Sequence, residues 1–285
     1  MSQGFATLPS RPRALRGPSA LSGNWREFRD LLIATSITAF RKRYIDTIFG
    51  FAWMFLGPLL TFGVVYIFVV EIVRRFSDTP DYGELLLLNV TLFNLFQMGS
   101  SGGMRSLVGG GGMLKKMPVP RAVMPLSAVA TALYVTAANM IIVLGWLLIG
   151  GVQPHWTWLL LPVIVLGILV VTIGIALLLA GLYVRFRDLG MIWPVFVRIL
   201  FFISPVIYPF PLIRAEILWK GQIVNPLAPV LAQARHWMIT PSAKGWFEAR
   251  GYGFTSFLPF IVLALIWVIG IRVFKREAPR AAESV

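Results

Sequence analysis

Cysteine is absent from the 285 residues. Disulfides, thiol catalysis and zinc–thiolate sites are therefore excluded. Histidine occurs only at His155 and His236, and neither has metal-ligand spacing to another side chain. Charge is also scarce, at 13% of residues, roughly half the share of a soluble domain. No carboxylate pair lies inside an apolar run. Asp78 and Asp81 flank a Thr-Pro turn, where a turn role accounts for them. The four glycines at 109–112 do not form a phosphate cradle. Such a loop needs lysine and then serine or threonine after its last glycine, and here Met113 and Leu114 follow. Internal repeats are missing, and so is the short polar alternation of barrel strands. Catalysis and nucleotide binding on this chain thus find no support.

What is present is apolar. Hydrophobic residues make up 57% of the chain and mean hydropathy is +0.77. They are gathered in six blocks: Ile45–Val73, Leu85–Met104, Ala122–Gly151, Trp156–Val184, Met191–Tyr208 and Phe254–Phe274. A bilayer core takes about 20 apolar residues as a helix. Backbone groups in lipid must bond internally, so the blocks are expected to be helices. The expected fold is an all-α membrane protein with six transmembrane helices.

The net charge of +14 is unevenly placed. With six spans, eighteen Lys/Arg fall on one side and seven on the other, and Arg198 lies inside a span. This asymmetry predicts both termini in the cytosol. The basic surplus then faces anionic headgroups rather than nucleic acid. Eight Lys/Arg and no apolar core before Leu31 mark the first 43 residues as a cytosolic segment, without a cleavable signal peptide. Residues 1–23 are expected to be a disordered tail, 24–276 a transmembrane domain and 277–285 a cytosolic tail.

Residues 25–40 read WREFRDLLIATSITAF. Trp25, Phe28, Leu32 and Thr35/Ser36 recur at helical spacing, which predicts an amphipathic helix in the membrane plane. Arg41, Lys42 and Arg43 follow at headgroup depth. They serve as a topology anchor, as a phosphate-binding patch, or as both. In the first span, Phe51, Phe55, Phe62 and Tyr66 share a helical face; in the second, Asn89, Phe93, Phe96, Gln97 and Ser100 do the same. Rings beside amides and hydroxyls suit sugar faces and edges, so these nine residues are candidates for a substrate path. Helix–helix packing is the competing account. The loop 105–121 is cytosolic and basic. Its Gly run and the residues Lys115, Lys116, Pro118, Pro120 and Arg121 predict a short coupling helix that a partner can push. Arg198 is costly in lipid, so it should face protein or water, or snorkel to the headgroups.

Four stretches, in order, now bear on family. They are RKRYIDTIFGFAWMFLGPL (41–59), LKKMPVPRAVMPL (114–126), RDLG to ISPVIYP (187–209) and NPLAPVLAQAR (225–235). Together they resemble the membrane subunit of ABC-2-type exporters, in the branch that exports polysaccharides on lipid carriers. Met117, Val119 and Pro120 stand where the family usually has Phe-Pro. The resemblance implies short re-entrant outer helices between spans five and six, with Ser204, Pro205, Tyr208, Asn225, Pro226 and Arg235 at an outer gate. It also implies a homodimer and two copies of a cytosolic ABC ATPase, with ATP and Mg on that partner and no cofactor on this chain. The implied substrate is a lipid-linked glycan leaving across a bacterial inner membrane, its pyrophosphate held by Arg41, Lys42 and Arg43. Export of a small drug or lipid, and a membrane glycosyltransferase, stay open as alternatives.

Overall fold

The computed structural model describes residues 25–46, 49–72, 81–110, 120–208, 216–240 and 244–282. Lys115, Lys116 and Pro118 lie outside the described residues, and so does any coupling helix there. Among the described residues there are helices and turns and no strand.

α1 spans Trp25–Tyr44, so the amphipathic segment and the basic run form one helix. Amides of Ile45 and Asp46 both reach the Arg41 carbonyl and end it. This turn pushes the start of α2 to Gly50. α2 (Gly50–Tyr66) continues into a π-helical turn, Ile67–Ile72. α3 (Tyr82–Gly109) and α4 (Val123–Ile149) follow. A 3-10 turn at Trp156–Leu160 leads into α5 (Leu161–Arg185), and α6 covers Leu189–Ile203. Then come α7 (Glu216–Val224), α8 (Ala228–Met238), α9 (Trp246–Arg250) and α10 (Phe254–Glu277), with a closing 3-10 turn at Ala278–Ala282.

Among the described residues, four helices are long and apolar enough to cross a bilayer: Gly50–Glu71, Val123–Ile149, Trp156–Arg185 and Phe254–Ala281. The second and fifth expected spans differ from these for physical reasons. α3 has 28 residues, yet Gln97 and the run Gly99-Ser-Ser-Gly-Gly103 dilute its hydropathy. Those residues suit a central helix, which packs against α4 on one side and α5 on the other. α6 is apolar but has 15 residues, or about 22 Å of helix. Its end comes at Ser204, which is extended because Pro205 follows.

The centre is held by close approach. A Cβ on Gly99 would lie 2.5 Å from Thr172 Cγ2, and one on Gly103 would lie 2.6 Å from Ala176 Cβ. Two glycines four apart thus let the α3 backbone meet α5, the small-xxx-small contact of membrane helices. Buried hydroxyls do not stay unpaired. Thr91, Thr136 and Thr172 each donate to the carbonyl four residues back. Peripheral helices shed their apolar side chains outward instead. Phe51, Trp53, Leu60 and Val64 of α2, and Phe257, Leu265 and Val268 of α10, are exposed.

α1 packs along α4. Ser36 is fully buried there, its Oγ 3.0 Å from the Tyr134 hydroxyl, and Thr131 donates to the Ser36 carbonyl. The Ser36 end of the stripe expected to lie along the membrane therefore faces protein instead.

Candidate functional site

A cavity of about 930 Å³ lies between α2, α3 and α6. Its α2 wall is Gly50, Trp53, Met54, Gly57, Pro58 and Thr61. These residues recur every three to four positions, so one face of the helix borders the space. Its α3 wall is Val90, Phe93, Asn94, Gln97 and Met98, and Phe201 of α6 closes the far side. Arg43, Tyr44 and Asp46 stand at one end. A second cavity of about 300 Å³ shares Thr61, Gln97 and Phe201 with the first and adds Ser101, Pro194, Val197 and Arg198. The two spaces therefore adjoin along Gln97.

Of the nine predicted path residues, Phe93 and Gln97 line this space. The other seven are placed elsewhere. Phe51 and Phe55 meet edge to face at 5.4 Å. Phe62 packs on Trp146, and Tyr66 stacks against Tyr82. Phe96 is fully buried against Trp193, and Ser100 Oγ accepts from Trp193 Nε1 at 3.3 Å. Asn89 donates to the Pro205 carbonyl. The α2 stripe of rings thus packs at Phe62 and Tyr66, while Phe51 at its start is exposed. The cavity stripe is the neighbouring one, Trp53–Gly57–Thr61. Its signal in the sequence was an i, i+4 run of ring, no side chain and hydroxyl, which leaves room beside the helix. Asn94 and Phe201 were missed for a related reason. They face the space only because α6 stands beside α3, and that pairing is not written in either segment alone.

Arg41, Lys42 and Arg43 end α1, exposed, and Arg43 reaches the cavity mouth beside its own neighbour Tyr44. Pro120 and Arg121 open the turn into α4, where Val123 and Met124 donate to their carbonyls.

Of the predicted gate residues, Ser204 and Asn225 are brought into direct contact, with Pro205 and Pro226 next to them in the chain. Asn225 Nδ2 donates to Ser204 Oγ at 2.7 Å, and its own Oδ1 accepts from the Leu227 amide at 3.0 Å. Asn89 Nδ2 donates to the Pro205 carbonyl at 2.9 Å, and the Tyr82 hydroxyl donates to the Ile207 carbonyl at 2.6 Å. Tyr208 donates to the carbonyl of Ile203 and accepts from Gln222 Nε2 at 3.3 Å. Pro226 fixes the step from Asn225 into α8. That helix packs on α5, and Trp158 Nε1 donates to the Met238 carbonyl at its end. Arg235, on α8, is half-buried. Desolvation lowers its guanidinium from the ordinary value, and the nearby Asp81 opposes that fall. Asp81 itself accepts from Thr240 and takes a left-handed backbone at φ 55°.

This arrangement is that of a multi-pass helical membrane protein with a lined space between its helices. Residues 31–239 match the ABC-2 type transporter family. The chain belongs to that family, and it is a transporter subunit rather than an enzyme. Relatives carry more specific names. An O-antigen export system permease protein RfbA of Klebsiella pneumoniae is 26% identical over 255 residues, covering 89% of this chain and 94% of that one. The protein of the same name from Myxococcus xanthus is 31% identical over 192 residues, covering 67% and 72%.

Proposed function

We propose that this chain is the permease half of an ATP-driven exporter that carries a lipid-linked polysaccharide out of the cytosol. The observation that carries this reading is the cavity itself. It begins at the guanidinium of Arg43 and continues past Trp53, Phe93, Asn94, Gln97 and Phe201. A cation at headgroup level suits a carrier phosphate. Rings beside amides suit a sugar chain. The names of the Klebsiella and Myxococcus relatives agree with that chemistry.

On this reading α3 and α6 complete six spans, with α3 shielded by its neighbours and α6 lengthened by the turn after it. Both termini face the cytosol of a bacterial inner membrane, as the Lys/Arg asymmetry favours. α7 and α8 are nine and eleven residues long, too short to cross, and dip back as an outer gate. Two copies face each other, with the exposed apolar sides of α2 and α6 near the joint path. A pair of cytosolic ABC ATPases docks on the 105–121 loop through Lys115, Lys116 and Arg121, and ATP and Mg bind on that partner. Arg41, Lys42 and Arg43 receive the pyrophosphate, and Ser204, Pro205, Tyr208, Asn225, Pro226 and Arg235 form the gate.

The test is charge-conserving. Arg43→Lys keeps the surface charge but loses the bidentate fork. Export should fall while topology and ATPase assembly hold. Unchanged export in Arg41→Lys, Arg43→Lys and the double variant would remove these residues from substrate binding.

A further inference from the structure

Arg198 stands well inside an apolar block of the sequence, whereas Arg272 lies at the very end of the last one. It is the tenth residue of α6, about 13 Å along the helix from Leu189. On the six-span reading, with Leu189 at the cytosolic edge, that falls inside a hydrocarbon core about 30 Å thick. A guanidinium at that depth is costly, and such residues mark ion or substrate pathways. Its neighbours bear this out. Arg198 lines the smaller cavity with Thr61, Gln97 and Ser101, three neutral groups that hydrogen-bond either sign of charge. Among the residues lining both cavities, Asp46 is the sole carboxylate, and it belongs to the far end of the larger one. Among the described residues none forms an ion pair with Arg198. Arg198 is exposed, and it borders this space without a carboxylate partner.

We propose that Arg198, with Thr61, Gln97 and Ser101 around it, is an anion subsite midway along the path, where the carrier's phosphate groups rest between the leaflets. The inference depends on the reading of the substrate as a lipid-linked glycan. Its physical basis is simple. A pyrophosphate moving between leaflets must cross the hydrocarbon with its charge. Arg43 holds it at the mouth, and the shared walls at Thr61, Gln97 and Phe201 lead from there to Arg198. A fixed cation halfway divides one long desolvation into two shorter ones. The planar guanidinium also matches phosphate oxygens in a bidentate pair.

The absence of cysteine makes a direct test clean. Gln97→Cys is introduced in the full chain, in nanodiscs of zwitterionic lipid, and its reaction with an anionic and a cationic methanethiosulfonate reagent is timed. The anionic reagent should react about tenfold faster or more, because a unit charge within a few ångströms acts strongly in a partly desolvated space. Arg198→Gln should erase that preference, and Arg198→Lys should keep it. If Arg198→Gln does not fold, Arg198→Met, neutral and of similar length, provides the second measurement, and the preference should likewise be lost. Long-chain polyprenyl pyrophosphate should protect the introduced thiol in the Gln97→Cys chain that keeps Arg198, and the neutral polyprenol should not. Phosphatidylglycerol nanodiscs supply the same phosphate chemistry as bulk lipid. Equal protection by them would overturn the assignment to the carrier. Equal rates for both reagents would overturn the subsite. Neither failure touches the export reading, which stands or falls on movement of the glycan in cells.

Discussion

Asn225 gives its side-chain amide to the Ser204 hydroxyl at 2.7 Å, and this bond joins the end of α6 to the start of α8. Both residues are buried, and Asn225 also caps its own turn through Leu227. Together with Gln222 on Tyr208, this side chain holds the break after α6 against the helices that follow it.

Asn225→Ala leaves the Ser204 hydroxyl and the Leu227 amide without these partners. Each such buried loss costs about 1–3 kcal/mol. Ser204→Ala removes one bond and should cost less. Thermal unfolding in detergent should rank the variants in that order. Equal midpoints for Asn225→Ala and wild type would show that the bond carries no stability.

The α3–α5 contact makes a sharper stability prediction. Gly103→Val has no room, since Ala176 Cβ would sit 2.6 Å from the new Cβ. Overpacking of this kind costs about 1–3 kcal/mol or more. Gly63→Ala is the control, because nothing lies within 4 Å of its Cβ position. It should match or exceed wild type, since alanine favours helix over glycine by about 1 kcal/mol. Comparable losses for both would mean that α3 and α5 do not approach as closely as described.

The order of elements was legible in the sequence because lipid demands long apolar helices. The six apolar blocks correspond to α2 through α6 and α10. The break after α6 was legible because Pro205 stands out against such a background, whereas Asn225 joined Ser204, Pro205 and Tyr208 only through the family resemblance. The α2 wall was not. Phe51, Phe55, Phe62 and Tyr66 are conspicuous, but Phe62 and Tyr66 fill space against neighbouring helices, and the cavity opens where Gly57 and Thr61 leave it unfilled. Sequence periodicity marks faces. It does not say which face has a neighbour.

Cysteine scanning separates those two faces. Trp53→Cys and Asn94→Cys line the cavity and should react with a water-soluble thiol reagent. Leu88→Cys and Leu95→Cys replace side chains with no exposed surface and should be protected. Reaction at position 95 with protection at position 94 would reverse the assigned face of α3.

The central claim is export of a lipid-linked polysaccharide, and deletion of the gene in its host tests it most directly. Surface polysaccharide and intracellular lipid-linked glycan are measured together. The account predicts that surface material disappears while finished lipid-linked glycan accumulates on the cytosolic side, and that the wild-type gene restores both. Normal surface polysaccharide would contradict export of a glycan. Loss of the glycan itself, inside and out, would point instead to a role in its synthesis.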